Sequence, residues 1–398
     1  MAKICMIAYT FYQSDPRVRR EAEALTARGD TVDFICIQDP KQGPLKELMG
    51  VRLYPLFVGR YQGASTFRYL LKYITFFIKA SALVTFLFLK KRYDIIHVHT
   101  MPDFLVFAAF IPKMLGAKVI LDVHDLMPEL YICKFKKPDN WKIRFITWVE
   151  RRSIAFADRA LAVHIPHQNA LIGHGNPRSK FSVLMNVPDP RIFEQKMDPA
   201  PRENNKFRLI YHGTVARRHG LEIALQAVDS IKSKIPNLEF LIIGHGDDFQ
   251  RIKGLVQTMG LDGSVRFQDR VAVEELPGYL RLADLGIIPI LYDEFTRYML
   301  PLKLMEYVRL GIPAVCTRTE TIESYFDDGM VYYVKSGDTR ELADAILFLY
   351  ENPAKRKDLI ANASKFNSDF NWDGQKRSYF ELVDSLTGSN NNKQEKHK

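Results

Sequence analysis

Short apolar runs ending in polar or glycine-containing loops alternate with helical stripes along this chain of 398 residues. Residues 4–9 read as a buried strand, and Asp15-Pro16 then caps a helix whose Val18, Ala22 and Leu25 fall at i, i+4 and i+7. Residues 31–37, 94–98, 118–123 and 159–163 continue as strands, with a helix over 104–115. That alternation predicts a doubly wound parallel sheet. The Pro-rich stretch DPRIFEQKMDPAPRENN then breaks the pattern and reads as a linker. A second sheet opens at 207–211 and continues at 239–243, 265–267, 285–289, 314–316 and 331–334. The expected fold class is α/β with two Rossmann-like domains, residues 1–185 and 186–372, facing across a cleft. An amphipathic helix over 373–387 is expected to pack back on the N-terminal domain, and the polar tail 388–398 to be disordered.

Composition narrows the partners. A net charge of +10 and a pI near 9.2 favour an anionic partner, but the Lys and Arg residues are scattered and no nucleic-acid signature accompanies them. The four cysteines lie far apart, three of them in or beside apolar runs, and no leader pattern opens the sequence. A reducing, cytoplasmic setting is expected. Residues 67–92, from Phe67 to Arg92, carry Arg68, Lys72, Lys79, Lys90, Lys91 and Arg92 among aromatic and aliphatic residues, with no acid. Lys79 leaves only residues 80–89 uncharged, about half of the ~20 needed to span a bilayer. Two readings stand: a helix lying on an anionic membrane surface, or a core helix whose lysines snorkel to water.

Candidate chemistry gathers at predicted strand ends, where open α/β sheets bind ligands. YMLPLKLMEYVRLGIPAVCT reads as loop, helix and strand, with Pro301 at the first helical position and Leu302, Met305, Val308 and Leu310 as the inward stripe. Amides around Leu300 to Lys303, the helix dipole and the Lys303 ammonium converge on an anion, with Glu306 one turn deeper as a hydroxyl acceptor. The alternative is an ordinary helix with Lys303 and Glu306 as a surface pair. In YHGTVARRHG, Gly213 follows a strand, and Arg217 and Arg218 supply guanidinium groups suited to phosphate, unless the loop is merely solvated. Gly244 and Gly246 in GHGDDF permit close backbone approach. Arg270, after another strand, lies either in an exposed turn, the favoured reading, or in one that holds a nucleobase through its main chain.

In LDVHDLMPEL, His124 reaches a strand end, with Asp125 expected to fix its tautomer; a purely structural histidine is the alternative. His97 and His99 in DIIHVHT are read as pointing to opposite faces of their strand, so that only His99 approaches a ligand and no shared metal is expected. There is no Asp-x-Asp motif, P-loop, H-E-x-x-H or G-x-S-x-G.

Taken together, DPRVRREAEALTARGDTV, YDIIHVHTMPDFLVFAA, ILDVHDLMPE, YHGTVARRHGLEIALQAV, LIIGHGDD and LPLKLMEYVRLGIPAV resemble the family 4 retaining glycosyltransferases of the GT-B fold, of the bacterial surface-polysaccharide type. The likeness runs over almost the whole chain. It implies a metal-independent enzyme without a cofactor, moving a sugar from a nucleotide-diphosphate sugar to a glycan or lipid-linked glycan acceptor. By resemblance Glu306 is the second glutamate of the E-x7-E motif and accepts bonds from the donor ribose, and His124 contacts the transferred sugar. Arg218 lies where the family places a diphosphate ligand, and Gly213 and Gly244 match its close-approach glycines. Thr214, Arg217, Arg270, Tyr298, Met299, Leu300 and Lys303 complete the expected donor side, and Asp15, Arg17 and His99 the acceptor side. The sequence departs from the pattern in three respects: Tyr298 replaces the first motif glutamate unless Glu294 substitutes, Thr214 and His219 replace basic residues, and Ser14-Asp15-Pro16 replaces a Gly-Gly pair. A nucleotide-sugar 2-epimerase or a non-catalytic nucleotide-sugar-binding protein remains as the alternative. The expected location is the cytoplasm, peripheral on the inner face of the membrane and docked through residues 67–92.

Overall fold

The computed structural model describes residues 1–39, 43, 45–59, 66–135, 139–193 and 206–388, so the tail expected to be disordered lies almost wholly outside the described residues. Two compact units form, Met1–Asn186 with Asp373–Lys398, and Val187–Trp372.

The first unit runs β1 (Lys3–Ile7), α1 (Pro16–Arg28), β2 (Thr31–Ile37), β3 (Glu47–Leu48), β4 (Val51–Leu56), α2 (Thr66–Lys91), β5 (Ile95–His99), α3 (Phe110–Met114), β6 (Lys118–Val123), α4 (Met127–Lys134), α5 (Asn140–Phe156), β7 (Arg159–Ala162), α6 (Ile165–Gly173) and β8 (Phe181–Val183). Its sheet has the order β3-β4-β2-β1-β5-β6-β7-β8, parallel except for the β3–β4 pair. The helix expected over 104–115 is instead a 3-10 segment, Asp103–Ala109, followed by the short α3. β4 escaped the sequence reading because Pro55 sits within it, and proline is confined to sheet margins of this kind.

α2 uses one face for the core. Phe76, Ala80, Val84, Leu87 and Phe88 are buried at helical spacing, while Leu70, Leu71, Ile74, Ile78, Phe86 and Leu89 are exposed. Over Leu70–Lys91 the mean hydropathy is 1.6, long and apolar enough to cross a membrane by length and composition alone. Its buried stripe ties it to the unit's own core. The core-helix reading holds for the buried side, and the exposed apolar residues form the side that the membrane-surface reading concerns.

The second unit runs β9 (Phe207–His212), α7 (Leu221–Ile231), β10 (Leu238–Ile243), α8 (Phe249–Thr258), β11 (Val265–Gln268), α9 (Leu276–Leu280), β12 (Leu285–Ile288), α10 (Leu302–Arg309), β13 (Ala314–Thr317), α11 (Glu320–Glu323), β14 (Tyr332–Val334), α12 (Thr339–Glu351) and α13 (Pro353–Asp369). All its strands are parallel, in the order β11-β10-β9-β12-β13-β14. The order reverses between β9 and β12, which places a topological switch point there. α14 (Trp372–Thr387) then returns to the first unit: Tyr379 Oη lies 2.8 Å from His97 Nδ1, Asp384 accepts from Arg28, and Gln375 accepts the Met185 N–H.

Candidate active site

Three loops meet at the switch point of the second sheet. β9 and β10 end level, with Ile243 opposite His212, and the chain leaves them through Gly213 (φ +113°) and Gly244 (φ +131°). A Cβ on Gly244 would lie 2.0 Å from the Gly213 carbonyl oxygen, so only glycine permits this crossing. A Cβ on Gly213 would lie 3.5 Å from Lys303 Nζ, which puts that ammonium directly beside the turn.

Lys303 lies over the Tyr211 ring, with Nζ 3.9 Å from the ring centre. Burial pushes its pKa down to about 7, and Arg218 lowers it further against the opposing pull of Glu306. Arg218 is half-buried, its Nε buried without a hydrogen-bond partner and its guanidinium 5.9 Å from the Phe295 ring centre. Among the described residues neither cation has an ion pair. Arg217 is different: largely exposed, it reaches Asp248 at 3.7 Å, so of the two loop arginines Arg218 is the one aimed inward. His219 is buried and pushed down to about 2 by burial with Lys303 and Arg218, hence neutral.

α10 begins one residue later than expected, with Pro301 as its N-cap. Its buried face is also broader, taking in Leu304, Met305, Glu306, Tyr307 and Val308, while Leu302 and Leu310 are only half-buried. The first helical N–H with a backbone acceptor in the preceding turn is that of Leu304, to Pro301, leaving the Leu302 and Lys303 amides at the helix opening. Lys303 and Glu306 do not form the surface pair of the alternative reading, because Glu306 is buried. Its Oε2 lies 2.5 Å from His212 Nε2, His212 Nδ1 is 3.1 Å from Tyr307 Oη, and that hydroxyl donates to the Ile210 carbonyl. With the Glu306 carboxylate as acceptor, His212 Nε2–H donates to it, and this bond fixes one oxygen of Glu306. Oε1 carries no hydrogen bond among the described residues and is open to a ligand hydroxyl. His212 was missed in the sequence; its signal was a histidine ending a strand directly before the loop glycine.

Tyr298 sits half-buried in a 3-10 turn beside Arg297. Glu294 is exposed and turned to Arg297 at 3.7 Å, while Asp293 accepts the Phe295 and Thr296 N–H groups. Met299 and Leu300 are half-buried on the way into α10, Thr214 is exposed, and Arg270 is exposed beyond β11.

In the first unit the polar centre is Asp122 on β6. Arg17 grips it with two bonds, Nε to Oδ2 at 2.8 Å and Nη2 to Oδ1 at 2.6 Å, while His99 Nδ1 and His124 Nε2 lie 3.1 and 2.9 Å from Oδ2. Burial alone would raise Asp122, but Arg17 and the imidazoles hold it well below the usual carboxylate range. Asp122 therefore holds the His124 ring, since a carboxylate on Nε2 selects the tautomer that leaves Nδ1 as acceptor. The acceptor side also changes. Arg17 and His99 are buried supports of Asp122, and Asp15 is the N-cap of α1, accepting from the Val18 amide.

His97 and His99 do not diverge. Residues two apart on a strand share a face, and their rings stack at 4.3 Å. With Glu21 and Asp122 they form a buried group whose ligand atoms lie within 4.8 Å of one another. Arg17 already bonds Asp122 and lies 3.3 Å from Glu21, and Glu21, pushed up to about 8 chiefly by burial, keeps its proton at neutral pH. A metal there would share Asp122 with a guanidinium.

Two Rossmann-like units, one with Lys303 and Arg218 near the loop glycines at its strand ends, are the architecture of the GT-B class of glycosyltransferases. The chain matches "Glycosyl transferases group 1" over residues 193–366 and "Glycosyl transferase 4-like domain" over 14–186, and it belongs to this family of nucleotide-sugar-dependent glycosyltransferases. It is 25% identical to the D-inositol 3-phosphate glycosyltransferase of Arthrobacter sp. (strain FB24), over 71% of this chain and 68% of that protein. It is also 25% identical to the amylovoran biosynthesis glycosyltransferase AmsK of Erwinia amylovora, over 58% of each. Among solved structures, Anabaena HepE in complex with UDP-glucose superposes with a TM-score of 0.76 at 17% identity, over 97% of this chain and 100% of that one. Sucrose-phosphate synthase from Thermosynechococcus elongatus gives 0.75 at 20% identity, over 98% and 100%. Family membership decides for sugar transfer over the epimerase and non-catalytic readings.

Proposed function

We propose that the chain is a retaining, metal-independent glycosyltransferase that extends a lipid-linked glycan at the inner face of the cytoplasmic membrane. The observation that carries the donor half is the pair of inward, unpaired cations, Lys303 and Arg218, beside the Gly213–Gly244 crossing. They offset the charge of a departing diphosphate, with the α10 amides adding two donors and Glu306 Oε1 taking a ribose hydroxyl. HepE, whose complex holds UDP-glucose, and AmsK, an amylovoran biosynthesis enzyme, support a nucleotide-sugar donor and a polysaccharide acceptor. In the first unit His124 Nδ1 is the atom offered to the sugar. The test is transfer from a panel of nucleotide sugars to lipid-linked acceptors in the presence of a chelator, with the product anomer read by NMR. An inverted product, or activity lost with the chelator and restored by metal, contradicts the reading.

A pH signature follows from Lys303. With a free-state pKa of about 7, it is charged below neutrality and neutral above, and a bound diphosphate favours the charged form. Affinity for a nucleotide sugar, whose diphosphate does not titrate here, is therefore full below about pH 7. It falls as pH rises, by up to about tenfold per unit, until the raised pKa of the complex is passed. Calorimetric titrations across that range should show the slope, and Lys303→Arg should flatten it. A pH-independent wild-type affinity contradicts the assignment.

The membrane half rests on the exposed face of α2. Lys91 is not part of it: its ammonium bonds Asp33 at 2.5 Å and Tyr54 at 2.6 Å. Lys72, Lys79 and Lys90 remain, and replacing each by Gln should weaken partition onto anionic liposomes by about fivefold per charge. Equal flotation of the triple variant removes the electrostatic part of the proposal.

A further inference from the structure

We infer that α5 presents a second lipid-facing surface, in which Trp141, Phe145 and Trp148 insert into the interface of an anionic membrane. The inference rests on the membrane-docked reading above and extends it to a helix that reading did not include.

The three aromatics stand at i, i+4 and i+7 on α5 and are 66%, 56% and 53% exposed, so they form one outward stripe. The opposite face holds the helix in place without them. Ser153 and Ile154 are buried, and Glu150 bonds His174 and Asn176. Cations frame the stripe: Arg144, Arg151 and Arg152 are exposed, Arg152 lies 5.6 Å from the Trp148 ring centre and Lys142 lies 5.5 Å from that of Trp141. The acid at this end, Asp139, is paired with Lys142. A tryptophan stripe bordered by exposed arginines that have no ion pair among the described residues matches the headgroup layer of an anionic leaflet, where indole rings settle at the apolar boundary and cations meet phosphate.

α5 and α2 also rest on a shared support. Phe77 of α2 packs on Phe104 at 5.8 Å, and Phe156 of α5 packs on Phe107 at 5.1 Å and Phe110 at 6.3 Å, so one segment carries both helices. Phe110, Ile111, Met114 and Leu115 on that segment are exposed as well.

The chain supplies its own probe. Of its three tryptophans two lie in the stripe and the third, Trp372, is buried. Full-length protein is titrated with vesicles of phosphatidylglycerol and phosphatidylcholine or of phosphatidylcholine alone, following tryptophan emission and flotation together. The expected result is a blue shift with anionic vesicles only, quenched by bromine on upper acyl carbons, and about fivefold weaker partition for each of Arg144→Gln and Arg151→Gln. Flotation without an emission shift overturns the inference and leaves docking through α2 standing; no flotation overturns both. A concentration-dependent dimer abolished by Trp148→Asp, with emission unmoved by lipid, assigns the stripe to a second copy of the chain and also overturns it.

Discussion

Alanine at Lys303 or at Arg218 is expected to lower kcat/KM for sugar transfer by about 10²–10³-fold, while alanine at Arg217 changes it little. The magnitude follows from placement. Lys303 stands beside the Gly213–Gly244 turn, and Arg218, half-buried, is near enough to lower the Lys303 pKa; among the described residues neither has an acidic partner, so contact with a departing diphosphate is charge-assisted and only partly screened. Arg217 is largely exposed and turned to Asp248, where solvent discounts its charge. Loss of these contacts should appear chiefly in kcat, since charge on the diphosphate grows as the sugar departs. Steady-state kinetics of the three variants checks the ordering. Equal activity of all three removes the diphosphate from this notch.

Asp122→Asn is expected to cost a similar factor in turnover while leaving nucleotide affinity unchanged, because it acts through His124 in the other unit. An amide in place of the carboxylate no longer selects the His124 tautomer, and one ring orientation becomes several. It also leaves the buried Arg17 guanidinium without its ionised partner, so a lower melting temperature accompanies the effect. His124→Ala separates the two consequences: it removes the ring but keeps the Arg17–Asp122 pair, so turnover should fall with stability nearly intact. Wild-type turnover in a folded His124→Ala protein excludes this histidine from the reaction.

The architecture was readable because apolar runs and loop glycines repeat the strand-helix alternation in both halves, and the order of motifs matched one family. Gly213, Gly244, Lys303 and Glu306 come together as spacing suggested. What spacing does not carry is which neighbours meet across a sheet. Asp122 reads as one more strand residue until β1, β5 and β6 are placed side by side and Arg17 reaches it from the helix after β1. His212 likewise gains meaning only when α10 lays Glu306 and Tyr307 against the end of β9. The face shared by His97 and His99 was available from strand periodicity alone, and was misread. The loss of a carboxylate at Tyr298 was legible at once.

The most direct test is calorimetric binding of nucleoside diphosphates and monophosphates to the full chain and to Lys303→Ala with Arg218→Ala. The account predicts that the wild type prefers diphosphates and that the double variant loses this preference while its melting temperature is unchanged or higher, as removal of two unpaired, partly buried cations requires. A double variant that keeps wild-type selectivity for diphosphates contradicts it.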